Sequence, residues 1–543
     1  MVRTTAWGDR RVVVTTVPET YNLRTMGAQR NTCDRSLACV RIDLEPMDVA
    51  AFDDWYGRRL QVTIDDAVWS RVDRSRRIVE ALAGSDEPVY GVNTGFGSLC
   101  STRIGAGNLA LLQDNLIRSH AVGVGPPAPD AVVRFMLLLK IQGLCLGASG
   151  VRRRVISYLA DLLNADILPV VPTQGSLGAS GDLAPLAHMV SPIIGRGCVL
   201  RDGQIEPARS ALKRHGLTPI TLGPKEGLAL INGTQFMCAY AVSLLVRAKR
   251  LLKHADIVAA MSIEAVQGSI RPFAEELHEL RPHRGAIETA ANVRRLTADS
   301  RIIESHADCE RVQDPYSARC VPQVHGASRD AIRHVEGIVQ TEVNSVTDNP
   351  VIIDENTVIS GGNFHGQPLA LALDYLAIAL AELASISERR VYLSLSGLGG
   401  LPVLLLENTG INSGFMLPQY TAAALVSENK ILAHPASVDS IPTSLGQEDH
   451  VSMGATAAVK TWRIMDNVET VLAIEQMCAA QALDFRAPVE PGRGVAAAHA
   501  EIRKVITHAD RDRSFGEDIE DSLTLLRSQK VAKAVESRVG NLT

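Results

Sequence analysis

The sequence predicts a mainly α-helical protein built around a long central bundle, and three observations predict it. Apolar residues return at steps of four and three over long stretches, most clearly at Leu244, Ala248, Leu251, Ala255 and Val258. Strand-like pieces are few and short. Aromatic residues make up only 4% of the 543 residues, so a core of this size has to be assembled from Leu, Ile, Val and Ala.

Taken in order, residues 1–42 show no sustained periodicity and read as an N-terminal extension of unknown order. From Asp43 the texture changes. Residues 64–83, 109–120 and 129–146 carry apolar positions at helical spacing and are separated by Gly, Pro and Ser clusters, so residues 43–230 read as a domain of helices joined by loops. A hairpin is expected where the apolar residues 198–200 run into the turn signal Arg201-Asp202-Gly203. Residues 231–543 read as the central bundle and C-terminal helices. The stripe through Leu244 opens it, and residues 369–389, 418–432 and 455–482 repeat the pattern, with one short strand-like piece at 351–353. The most apolar stretch, 369–386, is interrupted by Asp374 and Glu382, which reads as a buried helix rather than a membrane span.

Lys and Arg number 55 against 60 Asp and Glu, a net charge of −5, so no positive field favours nucleic acid or an anionic membrane. The nine cysteines are odd in number and include no C-x-x-C pair, which fits reduced thiols and a cytoplasmic setting, and residues 1–40 hold no continuous apolar segment of a secretory signal. No metal-ligand spacing is present. Long helices poor in aromatics bury against one another and against other copies, so a homo-oligomer is expected.

The densest run of small residues is Gly175-Ser176-Leu177-Gly178-Ala179-Ser180-Gly181-Asp182-Leu183-Ala184-Pro185-Leu186. One reading is a turn followed by a helix capped by Ser180 or Asp182, and another is an anion-binding loop. A Walker loop would need Gly-Lys-Ser or Gly-Lys-Thr, and a dinucleotide fingerprint would need a βαβ context. The tripeptide Ala179-Ser180-Gly181 permits something else. Gly181 has no Cβ, so its nitrogen can bend onto the carbonyl of Ala179, and loss of water from the ring and from the serine leaves an electrophilic alkene.

This run resembles the signature of the aromatic amino acid ammonia-lyase and aminomutase family. The resemblance extends from about Asp43 to the C-terminus through Tyr90-Gly91-Val92-Asn93-Thr94-Gly95-Phe96-Gly97, Leu230-Ile231-Asn232-Gly233-Thr234, Gln313-Asp314-Pro315-Tyr316-Ser317-Ala318-Arg319-Cys320, Gly361-Gly362-Asn363-Phe364-His365 and Gln447-Glu448-Asp449-His450-Val451-Ser452-Met453. Within the family it is similar above all to the lyases that use histidine. The resemblance implies a fumarase- and aspartase-like helical fold whose N-terminal, loop-rich domain carries a 4-methylidene-imidazol-5-one (MIO) formed from Ala179-Ser180-Gly181, with no external cofactor. It also implies a homotetramer in which three subunits build each active site.

Eliminating ammonia from an amino acid needs an electrophile for the amine and a base for a weakly acidic β-hydrogen. MIO is the electrophile that the resemblance implies, and Tyr90, ahead of the Gly91, Gly95 and Gly97 loop, is the candidate base. Arg319 has the planar fork to bind the substrate carboxylate. By resemblance, Tyr316 lies near the reacting atoms, Asn232 and Gln313 hydrogen-bond the prosthetic group and substrate, and Phe364 packs against MIO. Two residues address the substrate ring. His120 can exchange hydrogen bonds with a polar ring. Glu448 would be left unpaired against benzene but satisfied by a ring N–H, which favours a nitrogen heterocycle; a carboxylate capping a helix over 447–451 is the plainer reading. The expected reaction is L-histidine to trans-urocanate. A 2,3-aminomutase or a lyase acting on tyrosine or another heteroaromatic amino acid stays open, because Ser444-Leu445-Gly446 and Leu401-Pro402-Val403-Leu404 depart from the usual histidine-lyase pattern. So does a non-enzymatic helical assembly protein.

Overall fold

The structure is a computed structural model that describes residues 37–97, 101–201, 203–307 and 311–543. Most of the N-terminal extension, residues 1–36, lies outside the described residues, as do Cys33, Cys100 and Cys309. The last residues of the extension form a strand, β1 (Leu37–Ile42), parallel to β2 (Arg59–Ile64). Its side chains alternate between solvent and core, with Ala38, Val40 and Ile42 buried. The period-two signal is there in the sequence, but six residues with Arg41 and Cys39 interleaved are too few to stand out without the partner strand.

The helices of the first half follow the apolar spacing closely: α1 (Asp66–Ala83), α2 (Leu109–His120), α3 (Asp130–Cys145) and α4 (Arg153–Asn164). Next come α5 (Leu183–Val190), the expected hairpin of β3 (Cys198–Arg201) and β4 (Gln204–Pro207), and the short α6 (Glu226–Ile231). Asp182 stands at the N-cap of α5, yet its side chain makes no capping bond and turns elsewhere.

Three long helices make the centre: α7 (Gln235–Ala265), α10 (Gln367–Leu395) and α12 (Gly454–Asp484), with α8 (Arg284–Leu296), α9 (Val321–Glu342) and α11 (Met416–Leu432) packed around them. The chain closes with α13 (Arg493–Arg503), α14 (Phe515–Arg527) and α15 (Lys530–Val539). The stripe from Leu244 to Val258 is buried, but so is nearly every other side chain of α7, which therefore forms the axis of the bundle rather than a half-exposed wall. Polar contacts set the register of this axis. Glu475 of α12 accepts from Arg390 of α10 at 2.5 and 2.8 Å, from Ser387 of α10 at 2.6 Å and from Ser262 of α7 at 2.8 Å. A buried ion pair with all its oxygens satisfied adds little net stability, but sliding any one helix by a turn would strand a charge.

Helix α10 is the one described helix long and apolar enough to cross a membrane, and it is mostly buried among its neighbours. Asp374 explains why it belongs there: its carboxylate accepts from the Ser437 backbone N–H at 2.7 Å and pairs with Lys460 at 2.5 Å.

Candidate active site

Residues 175–182 form a loop laid across the N-terminal end of α7. Gly181 has φ +73°, and a Cβ there would fall 2.2 Å from the carbonyl oxygen of Gly233, so only glycine fits. Gly178 is equally crowded, a Cβ meeting Ser452 Oγ at 2.2 Å. The loop is held on several sides. The Asp182 N–H donates to Gly233 O at 2.7 Å, and the Asp182 carboxylate accepts from the Met237 N–H at 3.0 Å and from Ser176 Oγ at 3.3 Å. Full burial pushes the Asp182 carboxyl up to about 7. Asn232, immediately after α6, donates its Nδ2 to the carbonyl of Ser180 at 2.7 Å, while its Oδ1 is buried without a partner.

Two further loops reach the same place. Residues 443–453 bring Glu448, whose carboxylate accepts from Ser180 Oγ at 2.5 Å and from Thr443 Oγ1 at 2.9 Å. No helix runs over 447–451; Glu448 pairs across a bridge with Thr443, so the helix-capping reading is replaced by a direct contact with the central residue of the tripeptide. Ser452 Oγ donates to Gly178 O at 2.9 Å and the Met453 N–H to Leu177 O at 2.7 Å. Residues 361–366 approach through the Gly366 N–H, 3.4 Å from Gly178 O, and half-buried Phe364 stands two positions before Gly366 in the same segment. Between the two loops, His365 hydrogen-bonds the carbonyl of His450 at 3.1 Å and stacks on its ring.

His120, the last residue of α2, shares a 3.0 Å hydrogen bond with Ser119 Oγ. Burial lowers its pKa, opposed by a backbone contact at Leu116 and by the charge of Glu448, which places the imidazole within electrostatic reach of that carboxylate. The half-buried Tyr90 accepts from the Gly97 N–H at 3.3 Å, and Gly97 in turn faces Ser444 of the Glu448 loop. Thus Tyr90, His120, Ala179, Ser180, Gly181, Asn232, Phe364 and Glu448 belong to one neighbourhood.

Gln313, Tyr316 and Arg319 do not. Asp314 accepts from the Ser269 N–H at 2.6 Å, and Arg311 donates to Val266 O at 3.2 Å, so this segment docks beyond the C-terminal end of α7. The tripeptide loop is fastened at Met237, and the 29 residues between Met237 and Val266 correspond to about 43 Å at 1.5 Å per residue. Tyr316 is 70% exposed, Gln313 is exposed, and Arg319 stacks on the Tyr316 ring at 4.4 Å while its Nε donates to Asp314 O at 2.9 Å.

Two residues near the loop carry no motif. Thr443 is one. The other is Lys140 of α3, whose ammonium donates to the carbonyls of Ala229 at 3.2 Å and Asn232 at 2.9 Å. A lysine set in the apolar run from Phe135 to Ile141 was the available signal. Among the described residues no cluster of His, Cys, Asp and Glu is placed to hold a metal ion.

Residues 45–504 match the model of a family described as aromatic amino acid lyase. A histidine ammonia-lyase of Myxococcus xanthus is 51% identical over 470 residues, covering 86% of this chain and 92% of that one. Among solved structures, the histidine ammonia-lyase of Trypanosoma cruzi superposes with a TM-score of 0.85 at 39% identity, over 92% of this chain and 95% of that one. The tyrosine aminomutase of Streptomyces globisporus superposes with a TM-score of 0.88 at 35% identity, over 93% of this chain and all of that one.

Proposed function

The chain belongs to the aromatic amino acid lyase family, and on that premise we propose that it eliminates ammonia from L-histidine to give trans-urocanate. It is a carbon–nitrogen lyase. The observation that carries the substrate assignment is Glu448, whose carboxylate accepts from Ser180 Oγ and Thr443 Oγ1 at the tripeptide and acts electrostatically on His120. A benzene ring arriving there would bury that carboxylate without a new partner, at roughly 1–3 kcal/mol, whereas an imidazole N–H satisfies it.

Cyclisation of Ala179-Ser180-Gly181 with loss of two waters would supply an MIO electrophile for the substrate amine. The residues around the tripeptide fit such a group. The glycine at 181 leaves the backbone free to fold on itself against Gly233, and the unpartnered Oδ1 of Asn232 offers an acceptor beside Ser180. The Asn232 Nδ2, already on the Ser180 carbonyl, stabilises negative charge developing on that oxygen. Tyr90, as phenolate, takes the β-hydrogen as a proton, the electrons of that C–H bond become the new C=C bond, and the amine departs with its own pair. Phe364 and the Gly91–Gly97 loop exclude water from the reacting carbon.

Arg319 binds the carboxylate of the substrate, with Tyr316 and Gln313 beside it, and this requires another copy of the chain, because these three lie about 43 Å along α7 from the tripeptide. Surfaces for such a copy are present. Leu371, Tyr375 and Ile378 form an exposed stripe at spacings of four and three on α10, and Leu417, Tyr420 and Ile431 are exposed on α11. A homotetramer with shared sites satisfies both requirements.

The test is mass-spectrometric product analysis with L-histidine, L-tyrosine and L-phenylalanine offered separately. Urocanate from histidine alone, and an intact mass short by two waters that Ser180→Ala restores together with loss of turnover, is the expected result. A β-amino acid product would overturn it in favour of a 2,3-aminomutase, a reading favoured by the likeness to the Streptomyces globisporus enzyme and by the Leu445-Gly446 sequence beside Glu448.

A further inference from the structure

Lys140 lies in a helix whose sixteen residues include twelve that are buried, nearly all of them apolar, and it is itself 2% exposed. Its ammonium has no carboxylate within ion-pair distance among the described residues. Asp348, whose charge it senses, is bonded instead by the other buried lysine of this region, Lys225, at 2.7 Å. What Lys140 does hold is the end of α6. It donates to Ala229 O and Asn232 O, the free carbonyls at the negative end of that helix. From there the bonds continue directly into the tripeptide loop, Asn232 Nδ2 to Ser180 O and Asp182 N to Gly233 O, both at 2.7 Å.

We propose that Lys140 is a positioning residue of the active site, its ammonium fixing the C-terminal carbonyls of α6 so that the Asn232 amide stays against Ser180; this rests on the lyase reading above. The opposite end of α6 is fastened independently, Glu226 accepting from Arg152 Nε at 2.7 Å and from the Gly223 N–H at 2.7 Å, so Lys140 controls the end that faces the loop. Burial pushes the ammonium down to about 7, and Asp182, on the far side of Asn232, up to about 7. The two buried groups also act on one another electrostatically across the loop, so both ends of the Asn232 connection lie in one polar network. A methionine would fill the slot without a buried charge, so the bonds to the two carbonyls are what the lysine contributes.

The experiment is a double-mutant cycle on the full-length oligomer with Lys140→Met, Asn232→Ala and the pair, reading kcat and KM for histidine, the two-water mass deficit and thermal melting. Lys140→Met is expected to keep the oligomer and its melting transition, lose about a hundredfold in kcat with KM within threefold of wild type, and lose almost nothing more when Asn232→Ala is added. Effects that multiply in the double variant, or kcat within threefold of wild type in Lys140→Met, overturn the proposal. If Lys140→Met does not assemble, Lys140→Gln, which keeps one donor, is read in its place, and failure of both to assemble assigns Lys140 to the fold alone and also overturns it. A wild-type protein inert toward histidine, or an active Ser180→Ala, defeats the lyase reading instead, a result distinct from any of these.

Discussion

The two ends of α7 differ in how completely the chain satisfies them. At the N-terminal end, three loops and the end of α6 close over Ala179-Ser180-Gly181, and Ser180, Asp182, Asn232 and Glu448 have hydrogen-bond partners within the same chain. At the C-terminal end, Tyr316 and Gln313 face solvent, and among the described residues Arg319 meets the Tyr316 ring and the Asp314 carbonyl. The half-buried Arg319 fork has the geometry for a carboxylate, and among the described residues none pairs with it. On the proposed function the first end is a finished half-site and the second an unfinished one, and the length of α7 keeps them apart.

The sharpest way to break this comparison is complementation. Ser180→Ala and Arg319→Leu are each expected to lose at least about a thousandfold in kcat/KM, since each removes an interaction with the reacting substrate. Co-expressed with different affinity tags and purified as mixed oligomers, the two should recover clear turnover, because some sites draw Ser180 from one chain and Arg319 from another. Mixed oligomers as inactive as either parent would show that both ends serve one chain.

A smaller effect sharpens the description of the finished end. Glu448→Gln keeps the size of the side chain and a contact with Thr443, but removes the charge that the proposed function sets against the substrate ring. Histidine kcat/KM should fall about 10- to 100-fold, equivalent to about 1.4–2.7 kcal/mol, with melting unchanged. Kinetics equal to wild type would take Glu448 out of the site.

The smallest effect concerns the C-terminal end as a structure. Asp484, the last residue of α12, accepts from His499 at 2.7 Å, Arg503 at 2.6 Å and His508 at 2.6 Å. Although burial opposes it, these contacts hold its carboxyl well below the usual range. A depressed carboxylate contributes stability that is present above its unfolded pKa, near 4, and is lost as the pH falls through the folded value. Melting measured between pH 5 and pH 3 should therefore drop more steeply in wild type than in Asp484→Asn, by about 1 kcal/mol given the partial exposure of the group. Parallel curves would remove Asp484 from the acid response.

Helix positions were legible because apolar spacing is a local property. The starts and ends of α2, α3 and α11 lie within two residues of the expected ones, and the pairing of Cys198–Arg201 with Gln204–Pro207 was announced by the turn-forming sequence between them. Strand β1 was not legible, because a strand's partner is elsewhere in the sequence and six residues carry too little periodicity alone. Which partner the Asp182 side chain takes was not legible for a related reason. Its position is that of a cap, but the Met237 N–H at the start of a helix remote in sequence is a stronger claim on its carboxylate than its own helix makes.

By itself the sequence determined the helical class, the tripeptide able to cyclise and the residue types the chemistry needs, since each depends on neighbours along the chain or on the nature of one side chain. Only the tertiary structure decided that Glu448 rests on Ser180 across 268 residues, that a lone lysine supports Asn232, and that Arg319 lies at the far end of α7 from Ser180. These are distances between remote segments, set by how three long helices pack and by where their ends fall, and no local pattern encodes them.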